Sequence, residues 1–383
     1  MRIGIDNVSP GEATSRQAPG GMRAYLCSLL RELTALAPQH EYILFTPAWA
    51  DPLLEAPPTS LTIVPLAHVP GGRAFRVLYQ QSVLAAAITR ARLDVFLSTA
   101  TIAPLAASPP IVLVVQFLQF YAMPEAYGRV RTAYLRLMLP WSVRRARRAI
   151  IFTNWAKQEL IRRTRVPADK VSVIPHGLDS DILRLANGDH SIEPDHPGLI
   201  LTGGRPYVLY VSATYGYKNH LGLIRAFARA KLGTPLPHAL LMVGSQVHVS
   251  FSDLRAEAER AGVSKDVIIA GWVEDAASLY LGADLAAIPT LYETFGFPVL
   301  EAMALGCPVV TSNRGSMAEL AGDAAILVDP LDEAALAAAM TQVLTDGGLR
   351  QQLIARGRER VRHYTWRRTA AETLALLEGA ARG

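Results

Sequence analysis

A chain of 383 residues, 50% hydrophobic and 19% charged, is too long for one ordinary domain and too apolar to be mainly disordered. Its net charge of +5 is uneven: residues 1–185 balance to +9 and residues 186–383 to −4. The two cysteines, Cys27 and Cys307, lie far apart with no CxxC pair, which excludes a disulfide framework or a zinc site.

In the first half, Ile3–Ile5 predicts a short strand, followed by a polar loop holding Gly20-Gly21. Tyr25, Leu26, Leu29, Leu30 and Leu33 then recur at helical spacing. Tyr42–Thr46, Leu61–Pro65, Val95–Ser98 and Ile111–Val115 are short apolar runs bounded by breakers, the pattern of buried parallel strands. A helical stretch covers about Arg129–Arg148, interrupted at Pro140. Ala149–Phe152 and Val171–Ile174 close this half as strands. Residues 186–206, rich in Gly, Pro and Asp, read as a linker or insertion.

The pattern then starts again. Tyr207–Val211, Ala239–Val243, Val267–Ala270, Leu285–Pro289, Val309–Thr311 and Ile326–Val328 predict strands, separated by helices such as Leu221–Ala230 and Ser252–Ala261. Two β-α-β arrays predict two α/β parallel-sheet domains, Rossmann-like and facing a central cleft. Their bounds are 1–185 and 186–364, and a last helix within 365–383 crosses back to the first. The longest apolar run, Ile111–Phe120, falls well short of the ~20 residues of a membrane span. The opening MRIGID has no apolar signal core, so the chain reads as cytoplasmic.

The chemistry concentrates in Pro289–Pro308. This segment leaves a strand, passes Glu293, Thr294 and Gly296, and opens a helix carrying Glu301. In open parallel sheets ligands sit beyond the carboxyl ends of the strands. Free amides and the dipole at a helix start suit a phosphate, and Gly296 admits close approach of the backbone. A lone carboxylate in such a place is often only a cap or a solvated group. Glu301 stands within an otherwise apolar helix start, PVLEAMALG, which speaks for a function.

The run ETFGFPVLEAMALGCPVV resembles the E-x7-E signature of the retaining glycosyltransferases of family 4, which have the GT-B fold. Gly20-Gly21, Ile174–Asp179, Tyr207–Asn219, Gly271–Val273 and Met317–Pro330 resemble, in order, the family's other segments. The resemblance implies that Glu301 receives the ribose hydroxyls of a nucleotide sugar. Glu293 would orient the transferring sugar and stabilise charge at its anomeric carbon. The backbone of Thr294, Phe295, Gly296 and Phe297 would hold the diphosphate, with Lys218 and Asn219 opposite it, Val273 at the base, and Gly20 and Gly21 approaching from the other domain. The donor would be a GDP- or UDP-linked sugar, mannose being suggested by the K-N loop, and no cofactor is implied.

Two departures stand out. The family often places His-Asp or His-Asn after the strand Ile111–Val115, where this chain has Gln116 and Phe117. Gln116, at that catalytic position, can hydrogen-bond a hydroxyl but cannot take its proton. The family also often has an Arg shortly before the donor-loop lysine, where Ser212, Ala213 and Thr214 stand.

The stretch Arg129–Arg148 holds seven arginines and no acid. Val130, Ala133, Tyr134, Leu137, Met138 and Trp141 share one helical face. One reading docks that face on the core and leaves a solvated basic edge. The other makes Arg144, Arg145, Arg147 and Arg148 a surface for anionic membrane lipid or for a lipid-linked acceptor. The positive balance of the first half fits either such a partner or an arginine-rich background, 33 of the 38 basic residues being arginine.

The resulting expectation is a metal-independent, retaining sugar transfer to a glycan or lipid-linked acceptor, with no nucleic-acid partner. A non-catalytic homologue, binding a sugar nucleotide or partnering another glycosyltransferase, is the alternative that Gln116 raises. A sugar-nucleotide epimerase of the same fold is disfavoured by the signature. A dinucleotide-dependent oxidoreductase is disfavoured because Ile3–Gly21 holds no G-x-G-x-x-G.

Overall fold

A computed structural model describes residues 1–7, 21–47, 53–54, 56–66, 77–188, 193 and 195–382. The chain forms two units, one from Met1 to Asp179 plus the stretch from Tyr364, the other from Ser180 to His363.

Among the described residues, the first unit holds β1 (Arg2–Asp6), β2 (Glu41–Pro47), β3 (Leu61–Leu66), β4 (Val95–Ser98), β5 (Ile111–Val114), β6 (Arg148–Ile151) and β7 (Val171–Val173). They form one sheet of order β3-β2-β1-β4-β5-β6-β7, every pair parallel. The central strands β4 and β5 are buried at every residue, as expected where helices cover both faces. The strand order reverses between β1 and β4.

The second unit repeats the plan with β8 (Tyr207–Val211), β9 (Ala239–Val243), β10 (Val267–Gly271), β11 (Leu285–Ile288), β12 (Val309–Ser312) and β13 (Ala325–Val328). Their order is β10-β9-β8-β11-β12-β13, again parallel throughout. Here the reversal lies between β8 and β11.

Three expectations need correction. The division falls at Asp179/Ser180, ahead of 185/186, because the helix Ser180–Asn187 packs on the helix Phe297–Ala304. Within the stretch read as linker, Pro197–Thr202 is a helix. His196 Nδ1 accepts from the Gly198 amide at its start, and Gly203 (φ 66°) ends it. It packs closely on Tyr207: a Cβ at Gly198 would lie 2.1 Å from the Tyr207 hydroxyl.

The third correction concerns Arg129–Arg145. This helix runs through Pro140 without a break, and its buried residues are Thr132, Leu135, Leu139, Ser142 and Val143. Of the apolar face picked out by periodicity, Val130 (86%), Leu137 (64%) and Trp141 (58%) are exposed, while Tyr134 and Met138 are half-buried at its side. Leucines occur on both faces of this helix, so spacing alone could not tell the buried one.

The last helix, Trp366–Arg382, packs in the first unit against the helix Gly21–Leu36. Leu178 N–H donates to Tyr364 O (2.9 Å), and Thr369 Oγ1 donates to Pro175 O (2.8 Å). At Gly177 an added Cβ would lie 2.1 Å from the Trp366 nitrogen, so only glycine permits this approach. Beside it the His176 ring lies 3.7 Å from that of Phe152 and 4.9 Å from that of Tyr25, centroid to centroid. Burial pushes His176 down to about 3.

In the folded state His176 is therefore a neutral imidazole, whereas the unfolded chain takes up a proton near the ordinary value of ~6.5. Stability is then lost as pH falls below about 6.5, by up to about 1.4 kcal/mol per pH unit from this residue. Urea titrations between pH 7 and pH 5 should show a steep loss in the wild type and a shallower one in His176→Phe. Parallel profiles would mean that His176 is already charged in the fold.

Candidate functional site

The site is built where the order of the second sheet reverses. The loop after β8 carries Tyr215, Tyr217, Lys218 and Asn219 before the helix His220–Gly233. The loop after β11 carries Thr290, Leu291, Glu293 and Thr294 before the helix Phe297–Ala304. Tyr217 O joins the two, accepting from the Leu291 amide (2.8 Å) and from Thr290 Oγ1 (3.1 Å).

On that junction the Lys218 ammonium pairs with the Glu293 carboxylate, both side chains largely buried. Lys218 is held from its backbone as well: Tyr210 Oη donates to Lys218 O (2.7 Å). Its ammonium also lies 5.6 Å from the Tyr217 ring centroid, and Tyr217 stacks on Tyr215 at 5.4 Å. Asn219 adopts a left-handed conformation (φ 59°) that asparagine tolerates better than most residues. Its Nδ2 donates to Pro330 O (2.7 Å), which anchors the turn that presents Lys218.

Glu293 and Thr294 are fixed through the next helix. Ser316 N–H donates to Glu293 O (3.3 Å), and Ser316 Oγ donates to Thr294 O (2.9 Å). Thr294 and Phe295 are buried, and the rings of Phe295 and Phe297 meet edge to face at 5.1 Å. Gly296 precedes the helix with φ −130° and ψ 78°, a conformation open to other residues. A Cβ there would lie 2.3 Å from the Met317 Cε, so a larger residue would need the end of the Met317 side chain to move. Glu301 is half-buried on the helix, near the fully buried Tyr280. Burial first, and the Glu301 carboxylate second, push the Tyr280 phenol well up.

Lys218, Asn219, Glu293, Thr294 and Glu301 thus share the β8/β11 edge. Val273 follows β10, two strands away at the same end of the sheet, half-buried in the loop after Gly271 (φ 73°). Gln116 and Gly21 belong to the first unit: Gln116 follows β5, and Gly21 opens the helix Gly21–Leu36. Gly20 lies outside the described residues. The Gln116 amide donates to Thr101 Oγ1 (3.1 Å), and Phe117 stacks on Tyr127 at 5.8 Å.

Sequence reasoning missed three groups here. Thr101 is buried with φ 64°, a costly backbone for a β-branched residue, at the β1/β4 reversal beside Gln116. His220 is buried behind Lys218 and pushed down to about 4, mainly by burial, with the Lys218 charge adding. Tyr280 is the third. No motif singles them out: Thr101 and Tyr280 matter through Gln116 and Glu301, which are distant in sequence, and His220 through its burial.

The arginines Arg144, Arg145 and Arg148 donate from their guanidinium groups to the carbonyls of Thr164 (3.0 Å), Ala107 (2.5 Å) and Asp169 (2.7 Å). The Arg147 amide donates to Ile111 O at the start of β5 (2.8 Å). This cluster therefore sits at the amino edge of the first sheet, whereas Gln116 sits at its carboxyl edge. Among the described residues no group of three or more His, Cys, Asp or Glu could hold a metal ion, and no helix is long and apolar enough to cross a membrane.

Residues 191–360 match the family model of glycosyl transferases group 1, and residues 19–182 that of Glycosyltransferase Family 4. The chain belongs to the group 1, family 4 glycosyltransferases. It is 28% identical over 261 residues to O-antigen chain mannosyltransferase B of Escherichia coli, spanning 67% of each chain. Alignments to further curated relatives span 21–56% of those proteins. Among solved structures it resembles the sucrose-phosphate synthase of Thermosynechococcus elongatus, with a TM-score of 0.79, 21% identity and 99% and 98% of the two chains covered. It also resembles HepE of Anabaena in complex with UDP-glucose, with a TM-score of 0.73, 19% identity and 98% and 100% covered. These likenesses show the GT-B fold class.

The ion pair makes a prediction about charge. A diphosphate reaching Lys218 competes with Glu293 for its ammonium. Lys218→Ala should lower affinity for GDP or UDP by about 1.5–3 kcal/mol and leave the nucleosides unaffected. Glu293→Ala, which removes the competitor, should bind the diphosphate at least as well as wild type. Isothermal titration measures both, and equal losses for nucleoside and diphosphate in Lys218→Ala would place Lys218 away from the phosphates.

Proposed function

We propose that the protein transfers a sugar from a nucleoside diphosphate donor to a glycan or lipid-linked acceptor, with retention at the anomeric carbon, in cell-surface polysaccharide synthesis. The observation that carries this reading is the Lys218–Glu293 pair across the β8/β11 reversal, with Glu301 on the following helix. It joins a cation for a leaving diphosphate to a carboxylate for the charge growing on the sugar. Mannose is the proposed sugar, by likeness to the Escherichia coli mannosyltransferase. GDP is proposed as the donor nucleotide, and UDP is the variant to test beside it, since HepE is in complex with UDP-glucose.

In this reading Glu301 accepts hydrogen bonds from the ribose hydroxyls. The diphosphate meets the amides that open the helix Phe297–Ala304, where the helix dipole favours an anion. Lys218 turns from Glu293 to the diphosphate, and Glu293 faces the sugar. The acceptor hydroxyl attacks from the side of the leaving group: its oxygen bonds to the anomeric carbon as the bond to the diphosphate breaks. The departing phosphate oxygen takes the hydroxyl proton. No side chain is needed as a general base, so glutamine at position 116 is compatible with turnover. Lys218 and the helix start supply the positive charge, so transfer is proposed to need no metal and to survive chelation.

A panel of nucleotide sugars with oligosaccharide and lipid-linked acceptors is the test, with product anomericity read by NMR. Glu293→Ala should lose about 100-fold or more in turnover while keeping nucleotide affinity, and Glu301→Ala should lose affinity itself. If both variants lose nucleotide binding equally while folded, the division of roles fails. Nucleotide binding with neither transfer nor donor hydrolysis would make the chain a binding module.

A further inference from the structure

The outward face of the helix Arg129–Arg145 serves none of the roles proposed above. At 100° per residue, Val130, Leu137 and Trp141 fall within a sector of about 40° and form one ridge along the helix. They are 86%, 64% and 58% exposed, among the most exposed large apolar side chains described. A folded chain does not gain from presenting valine, leucine and tryptophan together to water. The helix is held by the opposite face through Leu135, Leu139 and Val143, so the ridge adds nothing to that packing.

Charge says what covers it. Around the helix, Arg144 and Arg145 flank the ridge on its two sides, and Arg129 and Arg131 follow further out. Arg144 and Arg145 are exposed although their guanidinium groups donate to Thr164 O and Ala107 O. These bonds fix where the two charges stand. Between Glu125 and Glu159 the sequence has no acidic residue. An apolar ridge set between fixed arginines matches an interface with hydrocarbon below and anionic headgroups beside it. Trp141 suits the boundary of such an interface, its ring being apolar with one polar N–H.

We propose that the protein docks peripherally on anionic lipid through the Val130–Leu137–Trp141 ridge, with the flanking arginines on the headgroups. The ridge inserts and the arginines supply long-range attraction, so the two contributions separate experimentally. This also gives the arginine cluster a partner without requiring it to contact the acceptor.

The test uses the full chain in flotation with phosphatidylcholine vesicles and with vesicles half phosphatidylglycerol. Wild type should float with the anionic vesicles only, and its partition should fall by at least about tenfold between about 0.05 M and 0.5 M salt, as screening shortens. Leu137→Gln with Trp141→Gln should lower that partition by about tenfold or more. Both positions are exposed and glutamine is a good helix former, so circular dichroism, thermal midpoint and GDP or UDP affinity should match wild type. Arg129→Gln alone should weaken binding less and flatten the salt dependence. Failure of wild type to float with anionic vesicles at low salt overturns the proposal, as does equal binding to neutral vesicles or undiminished binding by the double variant. A concentration-dependent dimer that the double variant abolishes, without vesicle binding, would assign the ridge to a second copy and overturn it equally.

Discussion

One carbonyl oxygen holds the functional end of the second unit together. Tyr217 O takes hydrogen bonds from both Thr290 Oγ1 and the Leu291 amide, tying the loop after β8 to the loop after β11. The parallel sheet makes this junction necessary. Where strand order reverses, neighbouring loops leave in opposite directions and open a crevice at the carboxyl edge. Without a cross-link the crevice has no defined width. With it, Lys218 and Glu293 come within ion-pair distance and Glu301 stands on the helix just beyond.

The pair is also a statement about the protein without ligand. A largely buried ammonium or carboxylate left alone would be costly, and pairing offsets that cost. The same low-dielectric setting makes His220, behind Lys218, a poor proton acceptor: burial lowers it, and the neighbouring ammonium lowers it further. The site therefore concentrates positive charge on one side chain and keeps the adjacent imidazole neutral. This suits the stabilisation of an anion better than the abstraction of a proton.

The departures from the family pattern have physical accounts of different strength. Thr214 is buried, and its hydroxyl accepts from the Val247 amide (2.8 Å) and donates to Val249 O (2.6 Å), while its carbonyl accepts from the His248 and Val249 amides. At that point the loop is fastened by a short side chain, and an arginine there would have to displace it. Gln116 has a weaker account. Its backbone is placed by the strained Thr101, but nothing in the structure explains why glutamine replaces histidine.

The strands and the signature were legible in sequence for different reasons. Strands buried on both faces must be apolar throughout, so runs such as VFLS and ALLMV declare themselves between Gly, Pro and polar breakers. Glu301 stood out because an acid in an apolar helix start carries its own chemical reason locally, whereas Glu293, Lys218 and Asn219 were legible only through the resemblance of their segments to the family's. Tertiary structure alone decided what depends on partners far along the chain. Lys218 meets Glu293 across 75 positions, and what crowds Gly296 is the end of the Met317 side chain, with no constraint from its own backbone angles. The helix Arg129–Arg145 is the clearest case. Its core face includes Thr132 and Ser142, whose hydroxyls are satisfied by Pro124 O and the Ala103 amide, while Val130, Leu137 and Trp141 of its periodic apolar stripe face outward. Periodicity reports that a helix has an apolar side, but only the surrounding strands and carbonyls determine which side they bury.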